Sequence, residues 1–162
     1  MNLKFYLEKL KGSEEFKKFV EENAGAFLCS GFFILDKGSG EGNKYHLDYY
    51  VPSSKKMFSF QLKSGVDLIP VDANEHVPVE LGDCDFVFED VEKLIVEEME
   101  RKEVKKKMQK ILLSLQNVEG RDVLVGTIFV SGLGLIKINI DVVDMKVTEF
   151  EKKSFFDIVK RG

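Results

Sequence analysis

The spacing of apolar positions changes along the chain, and each change marks an expected element. Phe16, Phe19 and Val20 fall on one helical face behind Ser13, whose hydroxyl suits an N-cap. Glu14 and Glu15 occupy the first turn, where acids meet the positive end of the helix dipole, and Asn23, Ala24 and Gly25 supply the stop. Residues 3–10 form a short preceding helix set off by Gly12. From Ala26 to Leu35 the chain is apolar on both faces, the texture of a strand buried from two sides.

After a loop containing Gly38, Gly40 and Gly42 come two alternating runs, Tyr45, Leu47, Tyr49, Val51 and then Phe58, Phe60, Leu62. A hairpin turning on Ser53 and Ser54 pairs Tyr49 with Phe58, Leu47 with Phe60 and Tyr45 with Leu62. All three apolar pairs then share one side, which is what a specified register requires. Between residues 65 and 88 short apolar pieces are broken by Pro70, Pro78 and Gly82, so edge strands and irregular crossings are expected there.

Beyond Asp85 or Glu89 no Gly or Pro occurs before Gly120, and Val91, Leu94, Ile95, Met99, Val104, Met108, Ile111, Leu112 and Leu115 suggest one long helix or two with a bend. Glu97 with Arg101, Glu98 with Lys102 and Glu103 with Lys107 stand four apart in the favourable order. Two strands follow, 122–130 and Ile136 to Val142, joined by a turn at residues 131–134. The phase slip at Val142 and Val143 implies a bulge or tight turn before a strand at residues 145–150, and Ser154 is placed to cap a last helix through Phe155, Phe156, Ile158 and Val159.

At 162 residues the chain makes one α+β domain, a mainly antiparallel sheet with packed helices. Helix then meander occurs twice, which divides the chain into two similar halves, 1–88 and 89–162, sharing one core. Such helix-plus-meander units resemble those of cystatin-type and PepSY-type modules, which commonly act as inhibitors or binding modules. The resemblance is one of architecture and carries no residue across.

The N-terminal residues are charged every few positions, unlike a signal peptide, and no window holds the roughly 18 apolar residues of a membrane-spanning helix. A cytoplasmic protein without membrane contact is expected, its Cys29 and Cys84 reduced and structural. The net charge of −4 hides an uneven layout. Residues 64–92 contain no Lys or Arg but include Asp67, Asp72, Glu75, Glu80, Asp83, Asp85, Glu89, Asp90 and Glu92, whereas Arg101, Lys102, Lys105, Lys106, Lys107 and Lys110 follow close together.

Three constellations invite chemistry. His46 and Asp48 share a strand face, and the hairpin register sets Ser59 opposite Asp48 and Gln61 opposite His46, which is the raw material of a nucleophile site or simply a solvated strand face. The acids Glu80, Asp83, Asp85, Glu89 and Asp90 fit no EF-hand spacing, and His76 beside Glu75 has no zinc-like partners, so no metal and no cofactor is expected. Gly38, Gly40 and Gly42 precede a strand and not a helix, which excludes a Walker or dinucleotide motif.

Lys105, Lys106, Lys107 and Lys110 form a basic patch on the long helix: a solvated face, a dock for an acidic protein, or a nucleic-acid contact. With 21 Lys against 3 Arg, and no aromatic residue between Glu89 and Ile128 to stack on bases, nucleic acid is disfavoured. The leading expectation is a non-catalytic module that binds a protein partner or associates with itself. A small enzyme or ligand site around His46 and Asp48 comes second, and a nucleic-acid accessory role using the lysines third.

Overall fold

A computed structural model describes residues 1–62, 66–71 and 77–154. Three helices, α1 (Leu3–Lys11), α2 (Glu14–Glu22) and α3 (Phe88–Arg101), accompany eight strands: β1 (Phe27–Asp36), β2 (Lys44–Val51), β3 (Lys56–Leu62), β4 (Val66–Val71), β5 (Met108–Val118), β6 (Arg121–Val130), β7 (Gly134–Asp141) and β8 (Lys146–Ser154). The strands form one antiparallel sheet in the order β4-β3-β2-β1-β5-β6-β7-β8. Each set of four is a meander running outward from the central β1–β5 pair, so the fold is α+β with a mainly antiparallel sheet.

All three helices cover the same face. Ser13 Oγ accepts the Phe16 amide at 3.2 Å, starting α2 as its sequence implies, and Phe16 and Phe19 set their rings against Tyr49, Phe58 and Phe60. Val20 is not part of that contact and stands exposed. Tyr6 of α1 stacks on Tyr45 at 4.1 Å between ring centroids, and Phe88 of α3 meets Phe33 edge-on at 4.9 Å. Phe33, Leu113 and Ile138 in one row of the core and Phe60, Leu47 and Leu124 in the next are essentially inaccessible to water. Each such side chain stabilises the fold by about 1.5–3 kcal/mol through burial.

The β2–β3 register is the one its alternation implies, with Tyr49 opposite Phe58, Leu47 opposite Phe60 and Tyr45 opposite Leu62. The turn spans residues 52–55 and not two serines alone, Lys55 taking a positive φ of 57°, but the register is unchanged because the same centre is kept. The edge strand β4, carrying Pro70, and the turn between β7 and β8 also follow expectation; Asp141 accepts the Val143 and Asp144 amides there. The helix suggested for residues 155–159 and the Glu75–His76 pair lie outside the described residues.

Two expectations are corrected. Strand β1 is buried on one side only: Gly31, Phe33 and Leu35 face the helices, while Phe32 and Ile34 are half-exposed on the other side. The helical reading of residues 89–117 ends at Arg101. Lys102 closes α3, Glu103 adopts φ 56°, its amide bonds Glu100 O, and the Val104 amide bonds Met99 O at 2.8 Å, a Schellman stop built without glycine. Residues 108–118 are then a strand, in which Ile111, Leu113 and Leu115 face the core while Leu112 and Ser114 face away. The i,i+4 pairs proposed for a continuous helix are replaced by a Glu98–Arg101 pair at 2.8 Å.

Sequence signals for this strand were present. Glu119 and Gly120, with φ of 52° and 85°, form a two-residue hairpin turn between Val118 and Arg121, the positive-φ pairing that such hairpins demand. Because only one sheet face is covered, Leu113→Ala should lower stability by about 2–5 kcal/mol, whereas Val125→Thr on the opposite face should stay within about 0.5 kcal/mol. Urea unfolding followed by circular dichroism measures both, and equal costs would contradict the one-sided core.

Candidate functional site

Among the described residues no helix or strand packs on the second sheet face, and the strand registers arrange its side chains in rows. The middle row runs Gln61, His46, Phe32, Ser114, Val125, Asn139. Toward the β1–β2 loop lies Lys44, Ile34, Leu112, Thr127, Lys137, and toward the opposite end Ser59, Asp48, Ser30, Gln116, Val123, Asp141. Its centre is therefore apolar and its β2–β3 flank polar. Val125 and Phe129 are 38% and 37% exposed, well beyond anything on the helix side of the same strands.

The four residues singled out by sequence do come together. His46 stands opposite Gln61 and Asp48 opposite Ser59. A hydroxyl that the sequence reading passed over is added: Ser30 Oγ donates to Asp48 Oδ2 at 2.8 Å. The Phe32 ring lies edge-on to His46 with 6.0 Å between centroids. Ser59 is only 6% exposed, and the Asp48 carboxylate takes its hydrogen bond from Ser30. The group is a set of donors and acceptors spread over three adjacent strands, suited to meeting polar atoms of a docked surface.

The glycine loop binds an anion, but that anion is the protein's own. The Asp36 carboxylate accepts the amides of Gly38 (3.1 Å), Ser39 (2.7 Å) and Gly42 (2.8 Å) and the Ser39 hydroxyl (2.7 Å). The Ser39 hydroxyl first, then these amides, hold the Asp36 carboxyl far below the ordinary range. A phosphate would have to displace this carboxylate.

The lysines are not on one helix. Lys105, Lys106 and Lys107 lie in the α3–β5 connection and Lys110 is on β5, where its Nζ pairs with Glu41 at 3.3 Å. Lys106 reaches over the turn at Gly132 and Gly134, and the Lys107 amide bonds Ser131 Oγ. Lys107, Lys110 and Phe129 face Gly38 and Ser39 across an open cleft of ≈520 Å³ at this end of the sheet.

The described acids of the 64–92 stretch are divided among structural tasks and are not gathered at one end of the sheet. Asp85 accepts the Lys4 amide and Asn2 Nδ2 at the start of α1, and Glu92 pairs with Lys37. Buried Asp122 accepts Gly82 N and Asn117 Nδ2. Among the described residues no group of three or more His, Cys, Asp or Glu side chains is placed to hold a metal ion. Both cysteines are free. Burial, joined by the Asp122 charge, pushes the Cys84 thiol up to about 12, and burial pushes Cys29 to about 11. Both stay protonated at neutral pH and neither supplies a thiolate nucleophile.

No protein-family model matches the sequence, and no curated protein matches it. The fold has a solved relative. A crystal structure of a Clostridium difficile protein described as a "putative lipoprotein" superposes with a TM-score of 0.54, at 10% identity, over 86% of this chain and 91% of that one. At this identity the likeness concerns the fold alone. No described helix is long and apolar enough to cross a membrane.

Asp36→Asn should release the β1–β2 loop. A carboxyl whose folded pKa is depressed contributes stability that is complete above its unfolded value of about 3.9 and lost as pH falls through the folded one. Hydrogen exchange should therefore show the Gly38, Ser39 and Gly42 amides protected at neutral pH, deprotected in Asp36→Asn, and still protected in the native chain somewhat below pH 4. Equal exchange in both proteins would contradict an occupied nest.

Proposed function

We propose that this protein is a non-catalytic binding or assembly module that presents the uncovered sheet face to a protein partner. The observation that carries the reading is the contrast between the two faces of one sheet. Three helices cover one, while the other shows Phe32, Ile34, Leu112, Val125 and Phe129 in adjoining rows. A contiguous apolar area rimmed by His46, Asp48, Lys44 and Lys137 has the composition of an interface, with an apolar centre and a polar rim.

The mirrored strand order further supports reading the chain as two similar helix-plus-meander halves, with the interface straddling their junction. Two free thiols are consistent with a cytoplasmic setting. Dispersal of the lysines over a connection and a strand removes the single basic helix on which the nucleic-acid role depended.

Val125→Glu places a charge at the centre of the face without touching the core. In cell extract, native-size analysis of the chain should find it in an assembly larger than a monomer, and Val125→Glu should return it to monomer size. Lys18→Glu on the exposed side of α2 should leave that assembly intact. A chain that migrates as a monomer in extract, or an assembly indifferent to Val125→Glu, would overturn the reading.

A further inference from the structure

The rows of the uncovered face carry charge in a pattern that fits a second copy of the same chain. Take the middle row, His46, Phe32, Ser114, Val125, Asn139, as a two-fold axis lying in the plane of the face and crossing the strands. The rotation exchanges the two flanking rows. Lys44 then falls opposite Asp48, Lys137 opposite Asp141, and Glu151 opposite Lys146, since Glu151 pairs with Lys137 and Lys146 with Asp141 in the sheet. These three charged exchanges match opposite signs, and Phe32 and Val125 meet their own copies. Ile34 and Leu112 meet Ser30 and Gln116, and Glu149, which continues the middle row on β8, accepts Asn139 Nδ2 at 2.9 Å within its own chain. A surface complementary to itself in this way is what an isologous interface requires.

We infer that two copies of this chain associate face to face through the uncovered sheets about that axis. The inference rests on the proposed binding role of the face and names its occupant. Eight strands about 4.8 Å apart and roughly 27 Å of strand length offer about 900 Å² in projection, against about 800 Å² per partner in a standard interface. Association in the plane of the sheet is blocked at both edges. Pro70 interrupts the donors of β4, and β8 carries Lys146, Glu149, Glu151, Lys152 and Lys153, the means by which edge strands avoid pairing.

The Lys44–Asp48 pair is the one to test, because Asp141 is already matched within its own chain by Arg121 at 2.7 Å. Asp48 is held facing outward by Ser30, and Lys44 lies two residues beyond His46 on the same strand face.

Sedimentation equilibrium of the purified full chain from about 1 to 500 μM should show a monomer–dimer equilibrium that weakens with added salt. Val125→Glu should give monomer throughout, with an unchanged circular dichroism spectrum showing that it folds. Lys44→Asp should raise the dissociation constant about tenfold or more, and Lys44→Asp combined with Asp48→Lys should restore it to within about threefold, a rescue that mere misfolding could not produce. A wild-type chain monomeric throughout, a dimer untouched by Val125→Glu, or a double variant no better than the single one would overturn the proposal. If the purified chain is monomeric while Val125→Glu still dissolves the assembly in extract, the binding role stands and the second copy falls. Monomers in both settings remove both.

Discussion

The antiparallel pairing of β1 with β5 is the contact on which the rest of this structure depends. Without it the chain is two four-stranded meanders, each with an unpaired inner edge. With it, Phe33 lies beside Leu113, Leu35 beside Ile111 and Gly31 beside Leu115 on the helix side. Gly31 leaves room for the Phe33 ring, since a Cβ there would come within 2.6 Å of it. The same pairing fixes the other face: Phe32 meets Ser114 and Ile34 meets Leu112, which makes the apolar centre continuous across the two meanders.

Covering an eight-stranded sheet on both faces takes more helix than the described residues contain. The amphipathic faces of α1, α2 and α3 are all spent on one side, through Leu3 and Leu10, Phe16 and Phe19, and Val91, Ile95 and Met99. The alternation along the strands leaves apolar groups on the second side without a covering layer from the described chain. Surface of that kind is stable only at some cost in exposed apolar area, which a docked protein surface would recover. The charges follow the same division: groups buried near the core are matched within the chain, as Asp122 is by Gly82 and Asn117, while Lys44, Asp48 and Lys137 rim the uncovered face.

Much of this was legible in residue order. The β2–β3 hairpin could be read in register because Tyr45, Leu47 and Tyr49 must share a side with Leu62, Phe60 and Phe58, and that register places His46, Asp48, Ser59 and Gln61 together. The strand β5 was read as helix, despite the Glu119–Gly120 turn, because its apolar residues satisfy helical and strand spacing alike and because α3 stops at Arg101 through a left-handed Glu103, a residue that advertises no stop. The lysine cluster was misplaced for the same reason. Ser30 was missed as the partner of Asp48 because the pairing of β1 with β2 crosses the glycine loop, whose length sequence does not convert into a register.

Local order therefore determined which segments turn, which alternate and which residues share a strand face, since these rest on neighbours two to four positions apart. Only the tertiary structure decided that β1 has one buried side, that residues 108–118 are a strand and that the lysines fall on a connection and a strand and not on one helix. Those outcomes depend on which surfaces meet across the β1–β5 seam, and nothing in the spacing of either segment specifies its distant partner.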